Sequence, residues 1–186
     1  MLQTQKCQLW EQKVVATSIK PLSRRSVLQL PLISISAAIL SQPLSVAAGT
    51  AATTITVWKT PTCGCCKAWV AHLRKNGFDV VTNDVSDTAT IRKKFDFPDQ
   101  YGSCHTAKLG KYVLEGHVPA EDIRKLLQDK PQARGLAVPD MPLGSPGMEG
   151  IGSYAGVRHA YDVLLVLNDG SSRVFKSYSA IPPVKT

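Results

Sequence analysis

The stretch "TTITVWKTPTCGCCKAWVAHLRKNGF", residues 53–78, changes periodicity across a knot of cysteines. Its first part is β-branched, with small residues before it and Pro61 after it, and reads as a strand. In its second part Cys66, Trp69, Val70 and Leu73 stand at i, i+3, i+4 and i+7, one face of a helix that Gly77 ends. Thr62 or Cys63 falls near the N-cap. Cys63, Cys65 and Cys66 thus sit where a strand turns into a helix. The helix N-terminus there offers free N–H groups and about half a positive charge. Cys63 and Cys66 form a C-x-x-C pair, a setting that makes thiols reactive. Cys65 is surplus to a dithiol.

Working outward, "FDVVTNDV" (78–85) reads as a second strand. Ser86 is the expected cap of a short helix whose apolar positions are Ala89, Ile91 and Phe95. "TAKLGKYVLEGHV" (106–118) holds two strands around a Gly110-Lys111 turn. "PAEDIRKLLQDK" predicts a helix with Pro119 in its first position, Glu121 and Asp122 in its first turn, and Ile123, Leu126 and Leu127 as its stripe. Pro131 to Gly156 is rich in Gly and Pro, shows no period, and reads as loop. "YDVLLVLNDGSSRVFKSY" is a strand, an Asp-Gly turn and a strand. The order predicts an α/β fold: a thioredoxin-like β-α-β-α-β-β-α domain, then a Gly/Pro-rich loop and an added C-terminal β-hairpin. That fold keeps reactive thiols at its first strand-to-helix junction.

Cys104, in "SCHTAKLG", is the expected fourth thiol. In thioredoxin-like folds the loop entering the third strand faces the C-x-x-C and usually carries a cis-proline. Here Ser103, Cys104 and His105 take that place, so Cys104 should face the helix start. Three thiolates in one turn can bridge soft ions, and thiolate and thioether sulfur select Cu(I), zinc or iron–sulfur clusters. Neighbouring helical side chains point about 100° apart, so Cys65 and Cys66 do not easily close on one ion with Cys63. A buried hydrophobic role for Cys65 and a structural disulfide to Cys104 are the rival readings. Met141 and Met148, in "PDMPLGSPGMEG", add thioethers, or else cover a core edge. His117 is a candidate ligand and His105 a weaker one; His72 and His159 take structural readings. No catalytic residue is assigned, and a phosphate loop, G-x-S-x-G and H-E-x-x-H are all lacking.

Residues 1–48 read as an export signal that is removed. Paired Arg24 and Arg25 precede an apolar run from Val27 to Leu40, and Val46 and Ala48 are small. "SRRSVLQ" approaches the twin-arginine motif. Pro31, Ser34, Ser36 and Pro43 break the run, so it does not read as a membrane span. Residues 49–186 then form a single metal-binding domain, placed in a periplasm or a thylakoid lumen, where disulfides persist. Of 22 basic and 14 acidic residues, Lys6, Lys13, Lys20, Arg24, Arg25 and Glu11 leave with the signal, so 17 and 13 remain and the charge falls from +8 to +4. No basic cluster interleaved with aromatics survives, so nucleic acid is not a predicted partner. No membrane contact is expected after cleavage, and Cys7 leaves with the signal.

"VWKTPTCGCCKAWVAHLRKNGF", "SCHTAKLGKYVLEGHVPAEDIRKLL" and "GLAVPDMPLGSPGMEG" together resemble the exported, copper-associated C-x-C-C proteins of the CopG-type copper-resistance family. The resemblance spans roughly residues 54–178. It implies a thioredoxin-like fold holding more than one copper ion in a cysteine-bridged cluster, with Cu(I)/Cu(II) interconversion as a possible oxidoreductase role. Cys63, Cys65, Cys66 and Cys104 match the family's cysteines, and Met148 and His117 match motif positions. The implied partners are copper ions and an exported redox or copper-handling protein. A thiol-disulfide oxidoreductase using Cys63 and Cys66 is the alternative, and an iron–sulfur electron carrier a third reading.

Overall fold

The computed structural model describes residues 54–150 and 154–183. Strand β1 (Thr54–Lys59) leads into helix α1 (Gly64–Lys75), and then come β2 (Asp79–Asp84) and α2 (Thr88–Lys94). After a short 3-10 turn follow β3 (His105–Leu109), β4 (Tyr112–Gly116), α3 (Ala120–Asp129), β5 (Gly135–Val138), β6 (Tyr161–Val166) and β7 (Ser172–Tyr178). One seven-stranded sheet runs in the order β2-β1-β3-β4-β5-β6-β7. β1 pairs parallel with β2 and antiparallel with β3, and β3 and β4 form an antiparallel hairpin. Through α3, and again for the final hairpin, this is the predicted α/β order.

The register Lys59↔His105 sets the start of β3 beside the end of β1. Cys104 and Cys63, each just beyond one of those ends, therefore meet although their positions in the sequence are far apart. The core forms from Ile55, Val57, Trp69, Leu73, Leu109, Leu114, Ile123, Leu126, Leu136 and Leu165. Each such side chain contributes about 1.5–3 kcal/mol by leaving water. The predicted helical face of α1 is the buried one: Cys66, Trp69, Val70 and Leu73, with Cys65 beside them. Gly77 (φ 82°) reverses the chain after α1 as only glycine does cheaply.

Three expectations are corrected. Pro131–Gly156 is not all loop, because "GLAV" forms β5, fully buried and parallel to β4. Four residues buried on both faces show no alternation, so periodicity cannot reveal them. β5 also joins the C-terminal hairpin to the main sheet through β6. Second, Asp87 rather than Ser86 caps α2, accepting from the N–H groups of Ala89 and Thr90 at 3.0 Å each. The buried side of α2 is Thr88 and Arg92, while Ala89, Ile91 and Phe95 are half-buried. Third, Pro119 stands one residue outside α3, at its N-cap. The export signal lies outside the described residues. Among the described residues no helix is long and apolar enough to cross a membrane.

Candidate metal centre

Cys63 is the N-cap of α1, with extended backbone angles (φ −75°, ψ 98°), and its sulfur accepts from Cys66 N–H at 3.3 Å. Because Cys63 stands outside the helix, its side chain folds back over the first turn. The expectation that three neighbouring cysteines diverge is thereby corrected: the sulfurs of Cys63, Cys65, Cys66 and Cys104 all lie within 4.8 Å of one another. Cys63 Sγ is 3.5 Å from Cys65 Sγ, and Cys104 Sγ is 3.4 Å from Cys66 Sγ and 3.9 Å from Cys65 Sγ. A disulfide joins Cys63 to Cys66, whose Cα atoms are 5.3 Å apart. Cys104 is partly buried and the other three are buried.

The Gly/Pro-rich segment closes on these sulfurs. Met141 and Met148, each 9% exposed, pack against the cysteines in one apolar cluster. Asp140 and Met141 hold left-handed backbone angles (φ 63° and 48°), an unusual pair for non-glycine residues and a mark of functional segments. Ser145 O accepts from Met148 N–H at 2.8 Å, and Gly144 N–H donates to Met148 O at 2.8 Å. Pro146 O accepts from His117 Nδ1 at 2.7 Å. That bond places the ring proton on Nδ1 and leaves the Nε2 lone pair facing Cys104 Sγ, 3.5 Å away.

Burial sets the protonation states. It pushes the Cys104 thiol up to about 12, with nearby Glu115 adding to the effect, so Cys104 holds its proton at neutral pH. Burial pulls His117 down to about 4, so its imidazole is neutral. His105 is held well below its ordinary range by burial and then by His117.

All seven predicted ligand candidates therefore meet in one region: four cysteine sulfurs, two methionines and His117. The weaker candidate, His105, stands as near to Cys104 as His117 does, its Nδ1 3.5 Å from Cys104 Sγ. It is fully buried on the Trp69 ring, centroids 4.3 Å apart, and its Nε2 has no hydrogen-bond partner. Cys104, His105 and His117 form a second group of donor atoms within 4.8 Å. His72 keeps a structural role, its Nε2 accepting from Ala120 N–H at 3.2 Å. His159 is exposed. Sequence reasoning missed Glu115 and Arg92, a buried pair 3.1 Å apart behind Cys104. A charged residue inside an otherwise apolar strand, as in "YVLEG", is the signal that marks Glu115.

No curated protein sequence matches this chain. A family profile described as "Protein of unknown function, DUF411" matches residues 101–148, from the turn before Cys104 to Met148. Among solved structures, "Copper resistance protein copG", form 1, shares 39% identity at a TM-score of 0.62, over 68% of this chain and 97% of that one. Form 2 shares 39% identity at a TM-score of 0.61, over 67% and 97%. With its cysteine cluster assembled and nearly the whole length of these relatives covered, the chain belongs to the CopG-type copper-resistance family.

Proposed function

We propose that this chain is an exported copper-binding protein that holds Cu(I) and Cu(II) in a cysteine-bridged, polynuclear site and serves copper tolerance. The observation that carries this reading is the gathering of four cysteine sulfurs within 4.8 Å, packed beneath two methionines. Thiolate and thioether sulfur suit Cu(I), and imidazole suits copper in either state. A dithiol switch needs two sulfurs, and this region supplies six.

The chain's own residues set the terms of binding. Cys63 and Cys66 are joined, so two electrons and two protons must convert their disulfide into thiols before either ligates. Cys104 keeps its proton until an incoming ion displaces it. His117 needs no deprotonation, because its Nε2 lone pair already faces the sulfurs. Met141 and Met148 narrow access for water. Bound copper supplies one-electron chemistry between its two oxidation states. Its exchange partner in this reading is an exported redox or copper-handling protein.

The Cys63–Cys66 disulfide itself favours the second reading, a thiol-disulfide oxidoreductase. Metal analysis of reduced protein purified without chelator separates the readings. More than one copper per chain is expected. No copper, together with dithiol turnover, would establish the second reading, and iron with acid-labile sulfide an iron–sulfur carrier.

A further inference from the structure

The segment that carries Cys104 enters β3 without a proline to shape it, and a buried carboxylate holds it instead. Glu115, on β4, is fully buried. Its Oε1 accepts from Ser103 N–H at 2.6 Å and from Arg92 Nη1 at 3.1 Å, and its Oε2 accepts from Thr106 Oγ1 at 2.7 Å. Ser103 Oγ lies 2.9 Å from both Glu115 Oε1 and His105 O, with one hydrogen to share between them. Thr88 Oγ1 donates to Ser103 O at 3.5 Å, so both main-chain groups of Ser103 are tied. Arg92 reaches in from α2 and also meets Asp99 at 3.1 Å. Gly102 leaves it room: a Cβ there would stand 2.8 Å from Arg92 Cζ.

An ion pair inside a core is a poor source of stability, since apolar residues of the same volume do as well or better. What this pair does have is a set of bonds aimed at one place. Glu115 accepts from Ser103 and Thr106, which flank Cys104 and His105 on either side. We propose that Glu115, countered by Arg92, is the positioning residue for Cys104, fixing its sulfur against those of Cys65 and Cys66. This deepens the reading of Cys104 as a copper ligand and rests on it. Glu115 touches none of the sulfurs: it places Cys104 through the loop it holds, while its charge adds to the burial that raises the Cys104 thiol.

The test begins without copper. In the reduced full-length chain, the alkylation rates of Cys63, Cys66 and Cys104 are measured site by site by mass spectrometry, in the parent and in Glu115→Gln. Losing charged hydrogen bonds to the loop should raise the Cys104 rate about tenfold while Cys63 and Cys66 change less than about twofold. A merely structural role would move all three together, and that result, or no change at all with far-UV circular dichroism intact, overturns the proposal. Ser103→Ala, measured alongside, removes one hydroxyl donor, leaves Arg92 paired and keeps the Glu115 charge, so its rate reports placement apart from the effect of that charge on the thiol, and it stands in should Glu115→Gln fail to fold. It should give a smaller rise confined to Cys104, and an unchanged rate would be equally fatal. A second arm, competition with a Cu(I) chelator, should show copper held about tenfold more weakly in Glu115→Gln. A parent that takes up no copper would sink the copper reading, while the alkylation arm would still judge Glu115 as the residue that places Cys104.

Discussion

At the scale of single residues, the site is a meeting of side chains with unequal shares. Cys104 alone brings a thiol from the far wall, so Cys104→Ala should lose most copper. Met148→Ala should loosen it moderately, His117→Ala less, and Met141→Ala least; titration against a competing Cu(I) chelator reads the order. Circular dichroism of each copper-free variant should match the parent, since donor atoms rather than packing are removed. Copper held at full strength by Cys104→Ala would take Cys104 out of the site. His117 also makes a prediction that needs no metal. Burial lowers it from 6.5 to about 4, so the unfolded chain binds the proton first as pH falls. Its contribution to stability is complete above pH 6.5 and is lost as pH falls through about 4, ~3 kcal/mol in all. His105, lowered by burial, acts in the same sense. Urea midpoints should therefore drop less between about pH 7 and about pH 4 in His117→Gln than in the parent. Equal drops in the two proteins would mean that His117 is not the group responsible.

At the scale of elements, the site depends on a loop pressed against a helix start. Gly147 (φ 85°) lies on the first turns of α1, where a Cβ would stand 2.7 Å from Trp69 N and 2.8 Å from Cys65 O. Neither backbone atom can move without shifting the cysteine helix. Gly147→Ala should therefore lift the segment that carries Met148. Chemical denaturation should register a loss of about 1–3 kcal/mol, and Cu(I) should be held more weakly. A variant as stable as the parent with unaltered copper retention would show that this close approach does not seat the loop. The helix start of α1 was legible in the sequence because its stripe and its C-x-x-C announce it. β5 was not, because a short strand with both faces covered carries no alternating pattern.

At the scale of the whole molecule, β5–β7 complete the sheet instead of hanging from it. All five residues of β4 are buried, and β5 covers its outer edge. A chain ending at Asp129 would expose that edge and lose Met141 and Met148. Bare strand edges with apolar side chains associate, so size-exclusion chromatography should show aggregates. A folded, monomeric truncation would prove the C-terminal strands dispensable. We also propose that residues 1–48 direct export and are removed. N-terminal sequencing of exported protein should begin near Gly49, and lysine at both Arg24 and Arg25 should block export. Unchanged export would point to the general secretory route.

The sequence by itself determined the types and order of the elements other than β5, the cysteine knot at a helix start and the family motifs. These are local properties, carried by periodicity, turn residues and spacing within one segment. Only the tertiary structure decided that Cys63 folds back from its N-cap to join Cys65 and Cys66. It also decided that Cys104 reaches them through the β1–β3 register, and that His117 faces its Nε2 lone pair inward because Pro146 O accepts the hydrogen bond from its Nδ1–H. The buried Glu115–Arg92 pair behind Cys104 belongs to the same class. Such facts join residues from separate segments. Their geometry follows from strand pairing and from satisfying buried polar groups, and neither leaves a period in the chain.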